Sequence, residues 1–154
     1  MRLYVCCPTE RNTAMRTKRI KIEGMDACYH VVSRVVDRGF RLDDVEKEIF
    51  CKIMRKGEAF CGVRILTYVI MSNHFHLLVH VPAPAPVDDE TLMDRFEALY
   101  GTEEAKTMRR RWEAWHKDGE DEFVEEERQV LLRRMGDISE FLKLVKQRYS
   151  ISYN

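Results

Sequence analysis

The stretch Thr67-Tyr-Val-Ile-Met-Ser-Asn-His-Phe-His-Leu-Leu-Val-His-Val81 predicts the centre of the fold. Two runs rich in β-forming residues, 66–71 and 74–81, flank a Ser72-Asn73 pair that is typical of tight turns, so the stretch indicates a β-hairpin. Side chains along a strand alternate between its two faces. The second strand therefore presents three histidines and one leucine on one face: His74, His76, Leu78 and His80.

His74 and His76 form the candidate metal site. Two imidazoles that leave the same strand face two residues apart can converge on one metal ion if their rings point into a polar cleft. The same spacing fits two ordinary solvent-facing residues of an antiparallel sheet, and the pattern alone leaves both interpretations open. His80 continues this face further along the strand, where a polar residue at the rim of the sheet is the simpler interpretation.

The chain resembles a known family at three places. Tyr68-Val-Ile-Met-Ser-Asn-His-Phe-His-Leu-Leu-Val79 resembles the signature of the single-tyrosine HUH transposases, the insertion-sequence-200/605-like group with its REP-associated relatives. Tyr29-His-Val-Val-Ser-Arg34 resembles the first strand of that family, and Met135-Gly-Asp-Ile-Ser-Glu-Phe-Leu-Lys-Leu-Val-Lys-Gln-Arg-Tyr149 resembles one of its helices. The resemblance covers about residues 15–154 and is loose over 82–128.

This resemblance implies a DNA transposase that cuts single-stranded DNA with a divalent metal, Mg or Mn, and transfers the strand through a phosphotyrosine. His74 and His76 would be the metal ligands, DNA in single-stranded or hairpin form the partner, and a homodimer that shares active sites the assembly. In the family the nucleophilic tyrosine lies on a helix after a fourth strand, which places both beyond Asn154, so we expect a C-terminally truncated domain. Tyr149 is the nearest substitute, but a packing role suits it better.

The order of predicted elements indicates an α+β fold. A strand over 29–36, a turn at Asp37-Arg-Gly39, a helix from Leu42 to about Phe60 and the hairpin give β-α-β-β. This order predicts a ferredoxin-like (split βαβ) antiparallel sheet with a mostly helical C-terminal half, its last strand and tyrosine helix missing. Residues 1–14 are predicted to be a disordered leader, 15–154 the transposase-like domain, and about 86–134 a helical insertion.

Basic side chains supply the predicted nucleic-acid contacts. Arg34 and Asn73 lie close to the histidines in sequence or by resemblance, although a structural ion pair would explain Arg34 equally well. The last predicted helix turns Lys143, Lys146 and Arg148 outward, as a phosphate-contacting face would require. The segment 109–115, with three arginines and two tryptophans, has the composition of a platform for stacking bases, but tryptophans three apart on a helix more often belong to a core.

Composition bounds the function classes. The 154-residue chain has a net charge of zero, yet basic residues outnumber acidic ones by 14 to 9 over residues 1–70 and by 6 to 2 over 128–154, while acidic residues lead by 15 to 6 over 86–127. The basic ends could hold phosphates, or the oppositely charged segments could pair with each other. No apolar run reaches the length of a membrane span, and the five cysteines contain no Cys-x-x-Cys pair, so we expect a cytoplasmic protein without a membrane segment.

Three functions remain in competition on the sequence. The first is the strand-transferring transposase. The second is a catalytically inactive, truncated remnant that still binds DNA hairpins or single strands. The third is a small metal-binding scaffold that does not act on nucleic acid.

Overall fold

The computed structural model describes residues 2–5, 22, 24–34 and 42–153. In chain order the elements are β1 (Arg2–Val5), β2 (Ala27–Arg34), α1 (Asp44–Cys61), β3 (Arg64–Ile70), β4 (His74–Val81), α2 (Asp89–Tyr100), α3 (Thr102–Asp118), α4 (Asp121–Leu132) and α5 (Ile138–Tyr153). Strands dominate the first half and helices the second. The predicted α+β fold with a helical C-terminal half is confirmed.

The sheet has the strand order β1-β2-β4-β3, and every neighbouring pair is antiparallel. Because β2 and β3 both run opposite to β4, they are parallel to each other, and α1 connects them across the inserted strand. This is the split β-α-β unit that the sequence predicted. The predicted turn at 37–39 and the end of the predicted strand at 35–36 lie outside the described residues.

Strand β1 was not expected. It pairs with β2 in the register Arg2↔Val32 to Val5↔Tyr29, and thereby extends the sheet at its β2 edge. It lies within residues 1–14, for which the sequence predicted a disordered leader. Four isolated residues carry too short a pattern to predict a strand without knowledge of the edge that they pair with.

The hairpin between β3 and β4 closes as its composition predicts. The amide of Met71 donates to the carbonyl oxygen of His74 at 2.8 Å across the Ser72-Asn73 turn. The amide of Leu42, just before α1, donates to the carbonyl oxygen of Ser72 at 2.6 Å. The hairpin turn is therefore fixed to the start of α1.

Helix α1 begins and ends where its sequence provides caps. The Asp43 side chain accepts from the amide of Glu46 at 2.9 Å, and the Glu46 carboxylate accepts from the amide of Asp43 at 3.0 Å, which completes a capping box. Gly62 ends the helix with φ at 66°, a left-handed conformation that glycine adopts at little cost.

The core lies between one face of the sheet and helices α1 and α5. Buried and half-buried residues alternate strictly along β4, and Phe75, on the buried side, packs on Phe50 of α1 with 4.9 Å between ring centroids. Helix α5 crosses α1 at Gly57, where a Cβ atom would lie 3.1 Å from the Leu144 side chain. The side chains on the opposite side of β2 and β4 are half-buried or exposed, and we call this side the open face. Its residues are Cys28, His30, Val32, Arg34, His74, His76, Leu78 and His80.

The helical segment after β4 packs through its tryptophans. Trp112 is buried and its Nε1 donates to the Glu127 carboxylate at 2.6 Å, and that carboxylate also pairs with Arg111. Arg109 lies 3.7 Å from a carboxylate oxygen of Asp94. Trp112 therefore belongs to the core, and two of the three arginines face carboxylates. None of the helices in the described residues is long and apolar enough to cross a membrane.

Candidate functional site

Three histidines meet on the open face. His74 and His76 come from β4, and His30 comes from β2. The direct cross-strand partner of His76 is Val32, and His30 lies two residues before Val32 on the same face, so His30 is the diagonal neighbour of His76. The ring centroids of His30 and His76 are 5.4 Å apart in a stacked arrangement, and those of His74 and His76 are 5.3 Å apart edge to face. We call these three side chains the histidine cluster.

Hydrogen bonds determine which ring nitrogens of the cluster can bind a metal. The Asn73 side-chain oxygen lies 2.6 Å from Nδ1 of His74, and because that oxygen can only accept, Nδ1 carries the proton. Nδ1 of His76 lies 3.2 Å from Nε2 of His30, and His76 has the same tautomer when its Nδ1 is the donor of that bond. A neutral imidazole with its proton on Nδ1 has its lone pair on Nε2, so both β4 histidines can offer Nε2 to a cation.

The donor set suits a site completed by other oxygens. Among the residues that the structure describes, no group of three or more histidine, cysteine or acidic side chains is arranged to hold a metal ion. His30 contacts His76 through its Nε2, which lies 3.2 Å from Nδ1 of His76. Two imidazoles fit a divalent ion whose remaining positions are filled by water or phosphate oxygens, and His74 and His76 are the residues that would hold it.

Sequence reasoning missed His30. Its position within Tyr29-His-Val-Val-Ser-Arg34 was available, since this segment resembles the first strand of the family. The sequence does not show the register between β2 and β4, because about forty residues separate the two strands. A one-residue change of register would have turned His30 away from His76.

Two predicted nucleic-acid contacts lie beside the cluster. Arg34 is the direct cross-strand partner of His74 and is exposed, and in the described part of the chain no carboxylate pairs with it. Asn73 is exposed at the hairpin turn. A depression of about 380 Å³ adjoins the cluster and is lined by two of its histidines and by other residues of β3, β4 and the start of the turn between them. They are His30, His76, Thr67, Tyr68, Val69, Met71, Leu77 and Leu78.

His80 lies at the far end of the same face and is engaged differently. Its Nε2 is 3.5 Å from a carboxylate oxygen of Asp26. The amide of Ala83 donates to that carboxylate at 2.6 Å and, with a smaller contribution from His80, holds the pKa of Asp26 below its usual value. His80 is therefore a rim residue, as its simpler interpretation predicted.

The remaining predicted residues lie in the helical layer, on the other side of the sheet. Lys143 faces Glu140 at 3.5 Å, and the Arg148 guanidinium stacks 4.9 Å from the centroid of the Tyr100 ring. Lys146 is half-buried on the same helix. Tyr149 is buried and meets Phe50 edge to face at 5.3 Å, a packing role. The predicted contacts thus divide into two surfaces, with only Arg34 and Asn73 beside the histidines.

Comparison with known proteins gives one family. A family model described as Transposase IS200 like matches residues 24–116, more than half of the chain. The match contains both β-strand segments on which the resemblance rests, and the segment 135–149 lies outside it. No curated protein and no solved structure matched the chain.

Proposed function

The chain belongs to the IS200-like transposase family, and from this premise we propose that it cleaves single-stranded DNA and transfers the cut strand, with His74 and His76 as metal ligands. The observation that supports this most directly is the arrangement of hydrogen bonds in the histidine cluster. Both β4 imidazoles have a hydrogen-bond partner at Nδ1, and with Nδ1 as the donor in each, two Nε2 lone pairs remain on an accessible face of the sheet.

Each side chain at this site has a separate task. A divalent ion, Mg or Mn, held there would neutralise phosphate oxygens and so lower the resistance of a phosphodiester to an anionic nucleophile. Arg34, beside His74, would hold a non-bridging phosphate oxygen by a charge-assisted hydrogen bond. The Asn73 oxygen orients His74, while its amide nitrogen can donate to the same DNA backbone.

The covalent step requires a tyrosine. Its hydroxyl oxygen bonds to phosphorus and loses its proton, the bond from phosphorus to the 3′ oxygen breaks, and that oxygen is protonated to a 3′-hydroxyl. The DNA then remains attached through a 5′-phosphotyrosine until the reverse step joins it to a new 3′ end. Tyr149 does not suit this role, because its ring packs on the helical side of the sheet. We propose that the nucleophile is a tyrosine of a second copy of the chain, which a dimer would bring to the histidine cluster.

Adduct formation tests the proposal. The full chain is incubated with a labelled single-stranded oligonucleotide and Mn²⁺, and covalent adducts are separated on a denaturing gel. We expect an adduct that disappears in His74→Ala and His76→Ala and persists in His80→Ala, the matched control from the same strand face. Loss of the adduct in all three variants alike, or its persistence in all three, would contradict the assigned ligands.

The alternative function is a catalytically inactive DNA-binding remnant. The position of the buried Tyr149, on the helical side of the sheet and away from the histidine cluster, favours it. This protein would bind hairpin or single-stranded DNA with an affinity that falls as salt rises, and would give no adduct at any Mn²⁺ concentration. The same gel, read beside a binding titration, distinguishes the two functions.

We further propose a homodimer that acts in the cytoplasm. Strand β3 pairs only with β4 and forms one edge of the described sheet. Four apolar side chains of β3 and of the residue after it are exposed: Leu66, Tyr68, Val69 and Met71. An apolar edge strand tends to associate with another chain. Light scattering during gel filtration should give twice the chain mass, and Val69→Glu should reduce it to that of one chain.

A further inference from the structure

A second basic surface lies in the helical layer, between α1 and α5. It is a groove of about 650 Å³ whose lining contains four cations and no acidic residue. We call it the basic groove. Its lining residues are Ile49, Lys52, Ile53, Lys56, Tyr100, Arg134, Leu144, Gln147, Arg148, Ile151 and Ser152.

The two lysines of the groove differ from other cations on the same helices. Elsewhere on α1, Lys47 pairs with Asp44 at 2.9 Å, and Arg55 pairs with Glu58. Lys52 and Lys56 form no ion pair within the described residues. They also lie four positions apart on one helix face, where like charges repel and cost a few tenths of a kcal/mol. The fold thus maintains an unfavourable pair of charges at this position.

The two arginines of the groove are held by aromatic rings instead of carboxylates. Arg134 donates to the Tyr100 hydroxyl at 2.7 Å and stacks 4.9 Å from the centroid of the Phe60 ring. Arg148 stacks on Tyr100 from the other helix. An aromatic ring orients a guanidinium without neutralising it, so both arginines keep their full charge and their remaining N–H donors.

We propose that the basic groove binds the phosphate backbone of DNA, at a site separate from the histidine cluster. Ordered guanidinium groups suit bidentate contacts to phosphate, and flexible lysines add point charges along the strand. This inference rests on the proposed function, because the family match is what favours DNA over an acidic protein surface as the occupant. Of the predicted contacts on α5, it retains Arg148 and excludes Lys143, which pairs with Glu140.

The position of the groove gives it a distinct role. The sheet separates the groove from the open face, so the part of the DNA that contacts Lys52 and Lys56 cannot also contact the histidine cluster. The groove would anchor a flanking part of the DNA while another part reaches the histidines around an edge of the sheet. Binding at the groove should therefore add affinity without altering the metal site.

Two double variants of equal charge change test this proposal. Lys52→Gln with Lys56→Gln removes two groove cations. Lys47→Gln with Lys143→Gln is the control, because it removes two lysines that pair with carboxylates on α1 and α5, the helices that form the groove. Binding of a labelled hairpin and of a labelled single strand is measured by fluorescence anisotropy from 0.05 to 0.3 M salt. Counterion release predicts that each lost phosphate contact reduces the slope of log affinity against log salt by about 0.9 for duplex and about 0.7 for single strands. Loss of both contacts should therefore lower the affinity at 0.1 M salt by roughly 25-fold for a single strand and roughly 60-fold for a duplex.

The outcomes are distinct. A large loss in the groove variant with a small loss in the control supports the proposal, and the DNA that shows the larger loss identifies a duplex stem or a single strand as the ligand. Equal losses in both variants would overturn it and leave the proposed function intact. Failure of the unmodified protein to bind either DNA would overturn both. A groove variant that changes the oligomeric mass but not DNA affinity would show a protein interface instead. Thermal melting and Mn²⁺ affinity, expected to be unchanged, verify that the variants are folded.

Discussion

Replacing His30 with alanine tests whether this residue positions His76, a proposed metal ligand. His30 supplies the nitrogen that lies 3.2 Å from Nδ1 of His76 and a ring that stacks on it. One such hydrogen bond contributes about 0.5–1.5 kcal/mol, and partners of metal-bound histidines change metal affinity by roughly 10- to 100-fold. Since His30 is half-buried, we expect a loss of about tenfold in Mn²⁺ affinity, or about 1.4 kcal/mol, the lower end of the range for partners of metal-bound histidines.

The assay is a Mn²⁺ titration followed by electron paramagnetic resonance, in which free and bound Mn²⁺ give different signals. His30→Gln keeps an acceptor of similar reach and should recover most of the affinity. His80→Ala removes a histidine from the same face, at the Asp26 end, and should bind Mn²⁺ like the unmodified protein. An affinity within twofold of the original in His30→Ala, or an equal loss in His80→Ala, would refute the positioning role.

Four further predictions concern three buried side chains and the glycine that ends α1. Phe50→Ala, which deletes a fully buried ring, should lower the free energy of unfolding in urea by about 3–5 kcal/mol. Tyr149→Phe should change that free energy by less than about 1.5 kcal/mol and leave the DNA adduct intact, whereas loss of the adduct alone would identify Tyr149 as the nucleophile. Gly62→Ala should lower the melting temperature, because φ is 66° and the new Cβ would lie 2.5 Å from the Arg95 guanidinium; an unchanged melting temperature would contradict this geometry. Burial raises the pKa of the Cys61 thiol to about 12, so at pH 8 it should react with a thiol reagent only after unfolding, and fast labelling of the folded protein would contradict this.

Local patterns predicted much of this structure. The alternation along 74–81 gave both the buried side, with Phe75, and the histidine side, because a strand has only two faces. The acidic start of α1 predicted its N-terminus, and Asp43 forms the capping box there. These features depend on residues within a few positions of one another, so a single sequence is sufficient to predict them.

Features that depend on the relative placement of distant segments were not predictable. The apolar stripe of α5 shows that one side of this helix is buried, but not which side of the sheet it covers. The sequence predicted DNA contacts for both Arg34 and Arg148, but not that they lie on opposite sides of the sheet. The contribution of His30 depends in the same way on a register that only the folded sheet defines.

The alternation along β4 also separates two evolutionary pressures. Phe75, Leu77, Val79 and Val81 are buried and maintain the core, while the imidazoles between them are half-buried on the open face. A mutation that replaces His74 or His76 would remove a proposed metal ligand and leave the buried side of the strand unchanged. Natural selection can accordingly discard the chemistry of such a chain and still retain the folded protein for another use, such as holding DNA.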